Sequence, residues 1–191
     1  LIVITPSGVN KGELNINELV VLNTKGKVIE GVKPSIETPL HLNIYRYRSD
    51  VGAIIHVHSL PVIAIGLLDT SLPLTTIEMA ITFRNNVPLV KYLPPGSREL
   101  VEEVTQVLKD VDGALLKFHG AIIIGKNLDE ALIKTLILER AAKVFLMSRM
   151  ITDKLKYLEP EAVNNATSII REWHKIKYRK EVEKWIKEVI E

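Results

Sequence analysis

Five histidines stand out in this chain, and two of them lie two residues apart, at His56 and His58. They fall in the apolar, β-branched run 53–58, which reads as a strand. Side chains two apart on a strand share a face, about 7 Å from one another, while Ile55 and Val57 turn to the other side. Two imidazoles on one face of an apolar strand are costly in a core without polar partners. A metal removes the cost, because neutral imidazole is a good zinc ligand. The alternative is two unrelated histidines, one hydrogen-bonded and one exposed. His119 ends a second apolar run and precedes Gly120, where a bare backbone permits a close approach. On its own it also fits a strand-end histidine beside a turn glycine. Three histidines supplied by strands would make a three-ligand centre with one position open, the pattern of catalytic zinc.

Glu37 is the fourth residue of interest. It lies between Pro34 and Pro39, near an expected helix start. A carboxylate there could act as a general base tuned by burial and a nearby metal. It also fits an ordinary acidic residue in a first turn. His41 is four residues on and shares its helix face, as a packing or supporting residue rather than a ligand. The turns Thr5-Pro6-Ser7-Gly8 and Pro34-Ser35 offer hydroxyls and amides of the kind that cradle phosphate, although such residues fill turns everywhere.

These groups need a scaffold, and composition limits its class. The chain has 191 residues, 47% apolar and 25% charged, with 25 basic and 23 acidic residues for a net +2. That length supports one domain, or one domain with an extension. The small net charge argues against nucleic acid or an acidic membrane as partner. No cysteine is present, so disulfides, thiolate-held metals and a thiol nucleophile are excluded, and a metal must be held by His, Asp or Glu. No apolar run is long enough to span a membrane. The start at Leu1 lacks the features of a signal peptide, so a cytoplasmic protein is expected, with a preceding N-terminal segment absent from the sequence. Abundant Ile, Val, Lys and Glu with a single Gln resemble thermophilic usage.

Strand and helix signals alternate. Residues 1–5, 53–58, 87–93, 114–119 and 121–124 read as strands, and 19–22 with 27–29 as a hairpin across Thr24-Lys25-Gly26. Helices are expected from Ser35, with Leu40, Ile44 and Tyr47 as its apolar face, and over 60–68, buried because it has no polar face. Others are expected over 77–83, from a Ser97 cap to Lys109, and from an Asn127 cap over 128–151. The pattern predicts an α/β layered domain. The boundary falls at 1–158 for the domain and 159–191 for a charged helical extension, with Trp173, Ile176, Trp185, Ile186 and Val189 as its apolar positions. That extension packs on the domain or on a neighbouring subunit. Its basic residues Lys175, Lys177, Arg179 and Lys180 are interleaved with acids, the pattern of a solvated helix face.

Five segments in order resemble the class II aldolase/adducin family. They are Ile4-Thr5-Pro6-Ser7-Gly8, the stretch from Lys33 to His41, Ala53 to Ser59, Pro94-Pro95-Gly96-Ser97 and Phe118-His119-Gly120. Each is weak alone, and their order and spacing are specific. The resemblance covers Leu1 to about Ile151. It implies a three-layer fold with a central, mostly antiparallel nine-stranded sheet flanked by helices. It implies that His56, His58 and His119 hold a divalent metal, usually zinc, with manganese, cobalt or nickel as alternatives. Glu37 would be the catalytic base, and Ser7, Gly8 and Ser35 would bind the substrate phosphate. The implied reaction cleaves a sugar phosphate of the fuculose-1-phosphate kind to dihydroxyacetone phosphate and an aldehyde, through a metal-stabilised enediolate. A homotetramer with active sites at subunit interfaces is also implied.

Three positions depart from the family pattern. A Gly-Asn-x-Ser phosphate turn should precede Leu1. A second serine of the phosphate motif is replaced by Ile36, and the family's proton-donating tyrosine falls at Ile77. Tyr178 is a candidate substitute, with surface packing as its other role. Rival activities within the family are a pentulose-5-phosphate 4-epimerase, a methylthioribulose-1-phosphate dehydratase and a decarboxylase. The epimerases carry Asp where Glu37 stands. A non-catalytic, adducin-like interaction domain would have lost the histidines, and all three are present.

Overall fold

The structure is a computed structural model that describes residues 1–175 and 179–190. Its centre is a four-stranded sheet made from β4 (Ala53–Val57), β5 (Leu89–Val90), β6 (Gly113–Leu116) and β7 (Gly120–Gly125), in the order β4-β7-β6-β5. All neighbours are antiparallel except β5 and β6. Strand alternation sorts the core into two layers. Leu115, Ala121 and Ile123 turn to one face, against helices α2 (Leu60–Leu67), α3 (Ile77–Phe83) and α5 (Leu128–Ile151). Ala114, Leu116, Ile122 and Ile124 turn to the other, against α1 (Thr38–Tyr47) and α4 (Arg98–Val107). The domain is therefore the expected three-layer α/β arrangement. A smaller antiparallel sheet of β1 (Ile2–Ile4), β2 (Val20–Leu22) and β3 (Val28–Glu30) sits beside it, with its own core of Ile4, Val20 and Leu22.

The described residues form seven strands in two sheets rather than nine in one. One reason is local: the strand expected over 87–93 pairs regularly only at Leu89 and Val90. Pro88 has no N–H to donate, and Pro94-Pro95 removes the next donors. Helix α1 starts at Thr38, three residues later than Ser35, because Pro39 suits the first helical turn and makes Glu37 the N-cap. Tyr47 is exposed, and Leu42 joins Leu40 and Ile44 on the buried face. Helix α2 is only half sunk, with Leu60 and Leu67 exposed and Val62 and Ile65 in the core. Helix α5 starts where the sequence indicates, with the Asn127 side chain accepting the Glu130 N–H at 2.8 Å.

An ionic cluster locks the helix ends to the sheet. The Lys134 ammonium of α5, nearly buried, reaches Asp112 at 2.9 Å and Glu130 at 2.7 Å. Arg48, after α1, holds Asp112 at 3.0 Å and donates to the Leu108 carbonyl at 2.7 Å. The extension forms α6 (Pro160–Lys175) and α7 (Arg179–Ile190). Val163 of α6 is buried in the α2/α3/α5 core. Trp173 and Trp185 pack on each other with ring centroids 4.9 Å apart. Ile176 and Tyr178 lie outside the described residues. Among the described residues, no helix is long and apolar enough to cross a membrane.

Candidate metal centre

Strand β4 delivers the first histidine. His56 pairs across the ladder with Ile122, so both side chains lie on the α1/α4 face. His58 comes just after the strand has ended. The third comes from the turn between β6 and β7 rather than from a strand, which corrects the expectation for His119. Phe118 takes a left-handed backbone there (φ 61°), closing the hairpin and aiming His119 at the other two. The three rings meet with centroids 4.8 to 4.9 Å apart.

Glu37 enters from the N-terminus of α1. Its carbonyl accepts the Leu40 and His41 N–H groups, and its own N–H donates to Ser35 Oγ at 3.3 Å. The carboxylate makes no capping bond and turns into the histidine cluster, 5% exposed. Oε2 lies 2.8 Å from His56 Nε2 and Oε1 lies 3.9 Å from His119 Nε2. Oε1 is buried with no hydrogen-bond partner.

His56 Nδ1 is 2.9 Å from the Ala121 carbonyl, to which it can only donate, so its Nε2 is unprotonated when the ring is neutral. That bare nitrogen faces His58 Nε2 at 3.0 Å and the carboxylate at 2.8 Å. Three electron-rich atoms at such distances repel unless a positive centre lies among them. A single proton satisfies one contact only; a cation satisfies them all. His56, His58 and His119 offer ligand atoms all within 4.8 Å of one another, and the orphaned Glu37 oxygen borders them. The residues present thus fit a divalent metal held by nitrogen with a carboxylate alongside.

The electrostatics agree. Burial, and then the charge of His56, push His58 and His119 below the usual imidazole range, which favours the neutral form that ligation requires. His41 is pushed down to about 4, mainly by burial and then by His56. Burial alone would raise the Glu37 carboxyl, but the His56 hydrogen bond and the charges of His56, His119 and His41 outweigh it and hold the group below its usual value.

Around the cluster lies a cavity of about 1130 Å³, bounded by the outer strands of the two sheets, β1 and β4. Ser7, Gly8 and Ser35 line it together with Glu37 and the three histidines. The turns are tied by Ser7 N–H to the Lys33 carbonyl at 2.9 Å and Ser35 N–H to the Thr5 carbonyl at 3.2 Å. Ile77, in α3, does not line the cavity. Lys11 does, and sequence reasoning missed it; its one signal was a position three residues after the Ser7-Gly8 turn.

Residues 1–146 match the family model for the class II aldolase and adducin N-terminal domain. The chain belongs to the class II aldolase and adducin family. It is 42% identical over 144 residues to L-fuculose phosphate aldolase of Methanococcus vannielii, covering 75% of this chain and 77% of that one. The Escherichia coli enzyme of the same name is 33% identical over 160 residues, 84% of this chain and 74% of that one. Among solved structures, an L-fuculose 1-phosphate aldolase superposes with a TM-score of 0.81 at 27% identity, over 88% of this chain and 79% of that one. That from Thermus thermophilus gives 0.71 at 26% identity, over 82% of each chain. The family and these aldolase relatives together support a class II aldolase, a lyase, with a fold the neighbours share, and the three-histidine cluster could bind a metal.

Proposed function

We propose that this aldolase cleaves a sugar phosphate of the fuculose-1-phosphate type into dihydroxyacetone phosphate and an aldehyde. The observation that carries the reading is the convergence of three imidazoles on a buried carboxylate with one orphaned oxygen. His56, His58 and His119 would hold the metal, zinc by preference for a nitrogen donor set. When bound, it polarises the ketone and stabilises the negative charge left when the carbon–carbon bond breaks.

The chain's own residues do the rest. The Ala121 carbonyl fixes the His56 tautomer so that Nε2 faces inward. Glu37 moves the proton at carbon: in condensation it takes one from the hydroxymethyl carbon of dihydroxyacetone phosphate, and in cleavage it returns it. Its burial keeps water from competing for that proton. Ser7 and Ser35 hydroxyls and the Gly8 backbone hold the phosphate. At Gly8 (φ 73°) the space a Cβ would enter is open, which leaves the backbone accessible. The names of the relatives support the substrate class, and the same family reading supports a homotetramer with sites at subunit interfaces.

Release of dihydroxyacetone phosphate from fuculose 1-phosphate, with and without a chelator, tests the activity. Chelator-sensitive release is expected; no release from any ketose 1-phosphate with one metal bound per chain would refute it. The Glu37→Gln variant should keep its metal and lose about 10²-fold or more in turnover. Near-normal turnover would remove Glu37 from the role.

A further inference from the structure

The substrate end that Ser7, Gly8 and Ser35 would hold carries a full negative charge, and hydroxyls with amides compensate it only in part. Ile36 also lines the cavity, and its apolar side chain donates nothing. A cation beside these turns would add charge compensation that hydroxyls and amides lack.

Lys11 is the one lysine or arginine among the described residues that line the cavity. It opens a short 3-10 turn, Lys11–Glu13, three residues after Gly8. The turn is fixed by the Asn10 side chain, which accepts the Gly12 N–H at 3.1 Å. Among the described residues, the Lys11 ammonium has no ion-pair or hydrogen-bond partner. Its charge is nevertheless felt at His58, where it adds to the lowering caused first by burial and then by His56. A free cation thus faces the same space as the phosphate-type turns and the metal cluster. Lysine suits the role: a compact point charge with three donors on a flexible stem.

We propose that Lys11 clamps the phosphate of the substrate, supplying a donor to a subsite where Ile36 offers none. This rests on the aldolase reading for the identity of the substrate, and it makes the enzyme selective for dianionic phosphomonoesters over neutral sugars.

The test measures anion binding apart from turnover. Inorganic phosphate is titrated calorimetrically into the metal-loaded full chain, its Lys11→Met and Lys11→Arg variants, and a Lys25→Met control whose charge lies outside the cavity. The expected result is about 10-fold weaker binding in Lys11→Met, near-parent binding in Lys11→Arg, and no change in Lys25→Met. In kinetics, KM for the phosphorylated ketose should rise in Lys11→Met by a larger factor than kcat falls. Parent-like phosphate affinity in Lys11→Met overturns the proposal, as does a parent protein that binds no phosphate. If Lys11→Met loses phosphate while no ketose 1-phosphate is cleaved by the parent, Lys11 keeps its role and the aldolase reading fails.

Discussion

Adding one methyl group at Gly120 should empty the metal centre without touching a ligand. A Cβ built there lies 2.1 Å from the Val57 carbonyl oxygen, 3.0 Å from its carbon and 3.1 Å from His58 Cα. All three are backbone atoms of the segment that carries His56 and His58, and none can rotate away. Ordinary contact begins near 3.4 Å, so β7 and the end of β4 must part by about 1 Å in a close-packed interior. The displaced atoms include the Ala121 carbonyl that orients His56 and the turn that carries His119. Metal ligands tolerate errors of about 0.2 Å, and a 1 Å misplacement costs on the order of 10²-fold in rate. Gly120→Ala should therefore purify with well under one metal per chain, and its melting temperature should no longer respond to a chelator. Overpacking should add a stability loss of about 1–3 kcal/mol. Gly66→Ala is the control: its Cβ meets the same β6–β7 turn at 3.5 to 3.7 Å, ordinary contact, so metal and turnover should hold. A Gly120→Ala protein with one metal per chain and unchanged turnover would refute the reasoning.

Two further perturbations probe the scaffold. Lys134→Met leaves Asp112 with Arg48 and Glu130 with the Lys126 N–H, and removes the bond to the Ile124 carbonyl, so it should cost about 2 kcal/mol in urea unfolding; a loss under about 0.5 kcal/mol would mean the cluster is not a structural lock. His41 is held at about 4 in the fold against 6.5 unfolded, so the unfolded chain binds the extra proton between those values. The stability is fully present above pH 6.5 and falls on acidification towards pH 4, by at most about 1.4 kcal/mol per pH unit. His41→Gln should flatten that stretch of the pH–stability curve, and an unchanged slope would show that other groups set it.

Much of the site was legible because its signals are local. The His56/His58 pair was legible from its spacing in an apolar run, although the strand ends at Val57 and only His56 lies on it, and Asn127 marks the start of α5 by its capping chemistry alone. Gly120 signalled a close approach, and the structure supplies the partner, the Val57 carbonyl. What stayed hidden depends on tertiary context. The position of Glu37 as N-cap was decided by Pro39, while Ser35, an equally good cap by type, went to brace the turn by accepting the Glu37 N–H. The exposure of Leu60 and Leu67 could not be read from an all-apolar segment, which has no polar face to mark the outside. Lys11 escaped notice because a lone lysine in a turn carries no signal until the fold closes a cavity over it.

The turn that carries His119 explains why a residue so poorly suited to its backbone stands before it. Leu116 pairs with Gly120, so the chain must reverse within Lys117, Phe118 and His119. A reversal that short needs a left-handed residue, and Phe118 adopts φ 61° where Gly or Asn would do so at less cost. The strain, on the order of 1–2 kcal/mol, is held by contacts outside the cavity. The Phe118 ring lies 6.0 Å from Tyr92 and 5.4 Å from the Lys117 ammonium, which is itself paired to Asp69 at 2.7 Å. Those contacts fix the turn from the outside while Gly120 lets β4 close against it from the inside. The imidazole of His119 is therefore positioned by backbone on both sides. A centre built from the ends of β4, the N-terminus of α1 and one strained turn has little freedom to adjust, which is the condition for holding neutral imidazoles and a buried carboxylate around one ion.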